Sequence, residues 1–318
     1  MSLPPEVRQL LDMLGRVEAP RLQEQPLEFA RRNFHKLLYA YRGEAPPIAE
    51  ARSLSVPRRE FAGGALQARL YTPLEAASPL PVLLWLHGGG WTLGDLAGYD
   101  VLCRQFCAQA ACAVLALDYR LAPENQFPAA LDDACYALAY LQREAAALGL
   151  DAQRIAIGGD SAGGNLAAVA SLLARERVQA GQVAPLRLQL LVYPTTDQTS
   201  TRASHERYAE GYFLDRASIE WFQRNYLPAE SDRYDWRASP LLAPDLGAAP
   251  PALILTAQHD PLSDDARAYA EALQAAGVST QYSEYAGMIH GFLTMDRILP
   301  DAARAQREIA AALRQAFA

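Results

Sequence analysis

An α/β fold with a mostly parallel sheet covered by helices is predicted by three features of this 318-residue sequence. From Pro81 onward, short apolar runs bounded by turns alternate with longer helix-like segments, the pattern of a parallel sheet buried on both faces. One such run, beginning at Arg154, breaks at glycines and continues as an Ala/Leu-rich helix, with a serine at the break in Gly159-Asp160-Ser161-Ala162-Gly163. Another, Val82 to Leu86, ends in His87-Gly88-Gly89-Gly90-Trp91.

Residues 1 to about 50 read as two helices, Pro4 to Leu14 and Leu27 to Tyr41, joined by the connector Glu18 to Pro26. Neither resembles the strand pattern that follows, so 1–50 is assigned as N-terminal cap helices and 51–318 as the body. Ser55 to Tyr71 gives two short strands about Gly63-Gly64, a hairpin signal because paired glycines accept positive φ. Buried-type strands follow at Val82 to Leu86, Ala113 to Leu117, Ile155 to Ile157, Leu188 to Val192 and Ala252 to Thr256. Gln281 to Tyr285 is the last, which brings the sheet to eight. Helices are assigned to Tyr99–Ala110, Ala129–Leu148, Ser161–Glu176, Asp264–Ala276 and Ala302–Phe317. Thr195 to about Asp232 interrupts the alternation: it is polar, with Tyr208, Tyr212, Phe213, Trp221, Phe222 and Tyr226 scattered through it. It reads as a cap insertion that, with the N-terminal helices, forms a lid over Ser161 and lines an acyl or alcohol pocket.

Composition narrows the class of activity. With 51% hydrophobic and 20% charged residues the chain has ample material for one large core. A net charge of −7 without a long basic run argues against nucleic acid or an anionic membrane surface as partner. No apolar stretch reaches the roughly 20 residues that span a bilayer, and Met1 to Arg16 mixes charges into its apolar residues, so a cytoplasmic location is expected without stable membrane association. Cys103, Cys107, Cys112 and Cys135 lack paired C-x-x-C spacing and are read as small core side chains, with no metal site.

The serine and the glycine run point to acyl transfer. G-x-S-x-G is the nucleophile elbow, in which the outer glycines remove clashing side chains and the tight turn exposes the Ser161 hydroxyl. Attack on a carbonyl generates an oxyanion that needs preset donors, and the backbone N–H groups of Gly88 and Gly89, with that of Ala162, are assigned to it. A serine hydroxyl also needs a base, and the base an acid to fix its tautomer. With the order serine, acid, histidine required on this scaffold, His35 and His87 precede Ser161 and are poor bases. His205 lies in the polar insertion and His259 at a strand end, which leaves His290, in a glycine-flanked loop after the last strand. Asp260 is assigned as the acid, since it follows the strand Ala252 to Thr256; Asp197 is the other candidate, and Asp264 and Asp265 suit capping of the next helix.

The motifs His87-Gly88-Gly89-Gly90-Trp91, Asp118-Tyr119-Arg120-Leu121-Ala122-Pro123-Glu124, Gly159-Asp160-Ser161-Ala162-Gly163-Gly164-Asn165, Asp260-Pro261-Leu262 and His290-Gly291-Phe292 stand in one order along the chain. In this the sequence resembles the hormone-sensitive-lipase-like esterases of the α/β-hydrolase fold, from about Arg58 to Phe317. The resemblance implies hydrolysis of carboxylic esters by Ser161, His290 and Asp260 without a cofactor. Asp160 and Asn165 are assigned to orienting the oxyanion loop, His87 to bracing it and Trp91 to walling the pocket; the cluster Asp118-Tyr119-Arg120 with Glu124 reads as structural. Gln258-His259 and Asn125-Gln126 depart from the family's usual residues, outside the triad.

The expected activity is therefore a carboxylesterase for small-molecule esters with short to medium acyl chains, because the lid region lacks a long apolar surface for docking on lipid. Two rivals use the same scaffold. Non-catalytic ligand receptors related to the family lack the catalytic histidine, whereas an amidase or deacetylase would share the whole triad. The helix Ala302–Phe317 or an edge strand offers a surface on which two copies could form a homodimer.

Overall fold

The computed structural model describes residues 3–16, 20–57, 64–75 and 77–318. Two helices come first, α1 (Pro5–Gly15), begun at a proline whose fixed φ suits a helix start, and α2 (Leu27–Tyr41), which follows Pro26. Strands β1 (Glu50–Val56) and β2 (Leu66–Thr72) pair antiparallel. Gly63 of the expected hairpin lies outside the described residues, and Gly64 has φ +74°.

The body then alternates as the apolar runs require: β3 (Leu80–Leu86), α3 (Asp100–Ala110), β4 (Ala113–Asp118), α4 (Ala129–Glu144), β5 (Leu150–Asp160), α5 (Ala162–Gln179) and β6 (Leu188–Val192). After the insertion, which carries α6 (Ala203–Arg207) and α7 (Arg216–Tyr226), come β7 (Ala252–His259), α8 (Ser263–Ala275), β8 (Thr280–Ile289) and α9 (Pro300–Phe317). The eight strands form one sheet in the order β1-β2-β4-β3-β5-β6-β7-β8. Among the described residues, only the β1–β2 and β2–β4 pairings are antiparallel.

All residues of β3 and β6 are buried, as expected of inner strands covered on both faces. Two hydrophobic cores result. One holds Leu84, Leu115, Ile157, Leu166 and Leu191 beneath α4, α5 and α8; the other holds Trp85, Phe106, Leu190, Leu255 and Ile309 beneath α3 and α9. Val7 and Leu10 of α1 join the second core, where Pro4 packs against Gly287 at the end of β8. Because the parallel strands share a direction, the C-terminal ends of β3, β5, β7 and β8 lie along one sheet edge, and the loops bearing Gly88–Gly90, Ser161, Asp260 and His290 leave from that edge.

Candidate active site

Ser161 occupies the junction of β5 and α5 with φ 54° and ψ −116°, a conformation that L-residues avoid unless their surroundings hold them. Its N–H donates to the Val192 carbonyl at 2.8 Å, and its own carbonyl accepts from Asn165 N–H at 3.0 Å, so strand and helix grip the residue from both sides. The turn is possible because Gly163 has no side chain: a Cβ there would stand 1.9 Å from the Leu86 carbonyl oxygen. The G-x-S-x-G spacing thus records the close approach of α5 to the end of β3.

The Ser161 hydroxyl lies 2.9 Å from His290 Nε2, and His290 Nδ1 lies 2.7 Å from Asp260 Oδ2. A carboxylate only accepts, so the Nδ1 proton points at Asp260 and the Nε2 lone pair is left facing the hydroxyl. Asp260 is fully buried, and its other oxygen accepts the Leu262 N–H at 2.9 Å. Tyr193 packs its ring 4.6 Å from the imidazole of His290. The chosen acid and base are therefore brought together, and the alternatives are engaged elsewhere. Asp197 accepts from Thr199 and Arg202, His205 pairs with Asp265 at 2.6 Å, and His259 stacks on Tyr212. Asp265 is buried in the first turn of α8, where Arg202, His205 and Ser200 meet it, so it anchors the insertion as well as standing near a helix start.

The oxyanion loop departs from expectation at Gly88. Its N–H donates to Asp160 Oδ1 at 2.9 Å and approaches the Tyr99 hydroxyl at 3.1 Å, so it is turned into the protein. The reason is steric as much as polar: a Cβ on Gly88 would sit 2.4 Å from Asp160 Oδ2, and the missing side chain lets that carboxylate close on the loop. Gly89 (φ +117°) and Gly90 line the cavity with Ser161 instead. Ala162 opens α5, where the first N–H groups have no partner within the helix and the macrodipole favours negative charge. The Gly88 N–H assigned to the oxyanion is thus already engaged, and Gly89 and Gly90 are the loop glycines that line the cavity.

Asp160 holds this loop from below. Its second oxygen accepts from Tyr99 at 2.9 Å, and burial pushes its carboxyl up to about 6, against the two donors and the nearby His290, which favour the charged form. The side-chain amide of Asn165 is bonded elsewhere than the oxyanion loop: it donates at 2.9 Å to the carbonyls of Thr195 and Ala238. His87 lies beneath the loop outside the cavity, stacked 4.4 Å from Tyr119, whose hydroxyl donates to the His87 carbonyl at 2.7 Å. Desolvation lowers the basicity of that buried imidazole.

A family model described as the α/β-hydrolase fold matches residues 83–294. An ethyl acetate hydrolase of Pseudomonas putida is 39% identical over 321 residues, covering 99% of each chain. The carboxylesterase NlhH of Mycobacterium tuberculosis is 42% identical over 255 residues and 79% of each chain. The solved structure of an ester hydrolase from the Lake Arreo metagenome, in complex with a bipyridine phosphonate derivative, superposes with a TM-score of 0.93 at 40% identity, covering 99% of each chain. The chain belongs to the hormone-sensitive-lipase-like esterases of the α/β-hydrolase fold.

The cavity of this esterase measures about 340 Å³ and opens onto Ser161 and His290. Its walls come from α2 and the turn before it, from the oxyanion loop, and from α7 with the segment preceding it. Leu38 packs over Gly98, and the Phe222 ring fills the space beside Gly90. Trp91 walls the cavity and stacks 4.3 Å from Tyr226. Of the aromatics scattered through the insertion, Phe213 and Phe222 reach the cavity, whereas Tyr208 and Tyr212 pack on His259. No residue of α1 lines the cavity.

Arg31 of α2 escaped sequence reasoning, because nothing distinguishes it from Arg32 beside it. Its guanidinium donates to the carbonyls of Thr92 and Ala122 and meets both oxygens of Glu124 at 2.7 Å, fastening α2 to the oxyanion loop. Arg120 of the same cluster braces α4, gripping the buried Asp133 through bonds of 2.8 to 3.1 Å. The four cysteines are free thiols, and burial pushes Cys107 and Cys135 up to about 12. Among the described residues, no cluster of His, Cys, Asp and Glu is set to hold a metal, and no helix is long and apolar enough to cross a membrane.

Proposed function

We propose that the protein is a serine carboxylesterase that hydrolyses short- to medium-chain esters through an acyl-enzyme. The unbroken hydrogen-bonded relay from Asp260 through His290 to Ser161, at the mouth of an apolar cavity, is the observation that carries this reading. His290 Nε2 takes the hydroxyl proton as Ser161 Oγ attacks the ester carbonyl, and Asp260 stabilises the imidazolium that forms. The tetrahedral oxyanion is received by the N–H groups of Gly89, Gly90 and Ala162. Collapse expels the alcohol, protonated by His290. Water then enters, loses its proton to the same imidazole, attacks the acyl carbon and releases the acid, returning the proton to Ser161.

A cavity of about 340 Å³ suits a small ester, at the lower end of ligand pockets generally. In this reading α2 and the insertion act as the cap that excludes water and selects the acyl and alcohol groups. The four free thiols, three of them buried, agree with a reducing, cytoplasmic setting. The test is turnover of p-nitrophenyl butyrate, with a burst of p-nitrophenol in the pre-steady state. Ser161→Ala is expected to abolish both; retained turnover in the folded variant would remove the nucleophile assignment.

A further inference from the structure

The strand that leads into the insertion ends in a strained residue. Tyr193, directly after β6, has φ +36°, a left-handed backbone that a bulky side chain adopts only when its surroundings hold it there. Here the hold is hydrogen bonding. Tyr193 N–H donates to the Leu255 carbonyl of β7 at 2.6 Å, the Val192 carbonyl accepts from Ser161 N–H at 2.8 Å, and Thr195 N–H reaches the Ser161 carbonyl at 3.4 Å. What the strain achieves is visible in the alternation of the strand. Leu188, Leu190 and Val192 point into the core beneath α3 and α9, and Leu191 into the core beneath α4, α5 and α8. Regular continuation would send residue 193 to the face of Leu191. The left-handed turn instead puts its ring into the core of Leu190 and Val192, which also holds Ile289, Phe292 and Leu293 from either side of His290.

There the Tyr193 ring lies 4.6 Å from the His290 imidazole with the two planes 52° apart, and Phe292 meets the same ring edge-on at 5.8 Å. Burial, with Asp160 and Asp260 nearby, pushes the Tyr193 hydroxyl well above its ordinary range, so the imidazole meets a neutral ring. His290 needs such a neighbour. Its Nε2 serves two oxygens in turn, taking the proton of Ser161 and giving it to the leaving alcohol. Once the serine proton has moved, the bond from Nδ1 to Asp260 anchors the imidazolium at one point and leaves it free to pivot. Resting on the esterase reading, we propose that Tyr193 is a positioning residue, whose ring stops that pivot and keeps Nε2 aimed at the reacting oxygens. Tyr193 does not line the cavity, so its effect passes through the histidine and not through contact with substrate. Through Val192 and Thr195 the same segment grips the Ser161 backbone, and one short stretch sets both the nucleophile and its base.

The experiment compares two leaving groups on one acyl chain. p-Nitrophenolate departs from p-nitrophenyl butyrate without a proton, whereas the ethoxide of ethyl butyrate needs one from His290, so the ethyl ester depends more steeply on the aim of Nε2. Tyr193→Phe keeps the ring and is expected to stay within about 2-fold of the wild type on both esters. Tyr193→Leu is expected to lose about 10-fold in kcat/KM on p-nitrophenyl butyrate and about 100-fold on ethyl butyrate, the loss falling on kcat. A smaller fraction of active molecules would lower both esters alike, so the change in their ratio is what a packing defect alone does not produce. An unchanged ratio in Tyr193→Leu overturns the proposal, and so does a loss of more than about 10-fold in Tyr193→Phe. Should Tyr193→Leu not fold, Tyr193→Met takes its place. A chain that folds with neither shows that the ring serves the fold and not the histidine, which overturns the proposal as well. Inability of the wild type to hydrolyse either ester removes the esterase reading itself, a result distinct from all of these.

Discussion

The rim of the sheet and the covering above it are built by different means. On the rim, the hydroxyl, imidazole, carboxylate and amide donors are set by strand ends and backbone close approaches, with Asp260 and Asp160 buried and each carboxylate oxygen occupied. The covering is attached mainly by side chains: the Arg31–Glu124 pair for α2, the Asp265 cluster for α6, and aromatic contacts for α7, with single backbone bonds at the ends of α2 and α7, from Arg297 N–H to the Tyr41 carbonyl and from Phe127 N–H to the Tyr226 carbonyl. Arg31 is 29% and Glu124 51% exposed in their side chains, the range in which ion pairs contribute about 0 to 1 kcal/mol. If the proposed reading holds, changes in the floor alter the chemistry and changes in the roof alter the choice of substrate.

Substitutions on the floor should be the most damaging. Asp260→Asn leaves the shape intact but removes the group that fixes the His290 tautomer, and kcat is expected to drop about 10⁴-fold with thermal stability little changed. Gly163→Ala puts a methyl against the Leu86 carbonyl and should cost about 3 kcal/mol or more, read as a lowered denaturation midpoint. An unchanged midpoint would mean that the elbow yields more readily than its contacts imply.

Asp160 offers a pH-resolved test. Its carboxyl sits near 6 instead of the ordinary 3.8, so its ionisation opposes folding: that cost is full above about 6 and absent below 3.8. The stability of Asp160→Asn relative to the wild type should therefore rise between pH 4 and 7. Its activity should run the other way. Above pH 6 the wild-type carboxylate holds Gly88 through its negative charge, so the variant should be about 10- to 100-fold slower at pH 8, with the gap narrowing below pH 6. A gap that does not change with pH would show that charge at this position is irrelevant.

Roof substitutions should act more gently. Arg31→Leu frees α2 from the carbonyls of Thr92 and Ala122, and kcat/KM is expected to fall by about 3- to 10-fold while the phenol burst keeps its amplitude. Phe34→Ala enlarges the cavity wall and should shift the preferred acyl length by a few carbons at almost constant kcat, measured on a p-nitrophenyl ester series. A catalytic collapse in either variant would erase the distinction between floor and roof.

The same distinction decides what could be read from the sequence. The elbow and the glycine loop were legible because backbone close approach is written as glycine, and the triad because its order along the chain is fixed by the strand order. The parallel body followed from apolar runs such as Leu188–Val192. Which amide of Gly88-Gly89-Gly90 faces the cavity was not legible, since three adjacent glycines look alike until the Asp160 carboxylate takes the first. The helix α6 was hidden because it is five residues long and polar, held to α8 through Ser204 and His205, and α7 because it divides its apolar residues between the cavity, at Phe222, and the core, at Tyr226. Tyr99 and Arg31 left no local signal at all, for Tyr99 donates to Asp160 and Arg31 to the Thr92 carbonyl, each 61 residues away.

The central claim is that Ser161 is made nucleophilic by His290 and that both serve one carbonyl. It is tested most directly by inactivation with a p-nitrophenyl alkylphosphonate, in which Ser161 Oγ attacks phosphorus and p-nitrophenolate leaves, followed by peptide mass spectrometry. The account expects one adduct per chain, on Ser161, formed with release of one equivalent of p-nitrophenolate and slowed at least 10³-fold in His290→Gln. An adduct on another residue, or labelling of Ser161 that is as fast without the imidazole, would contradict it.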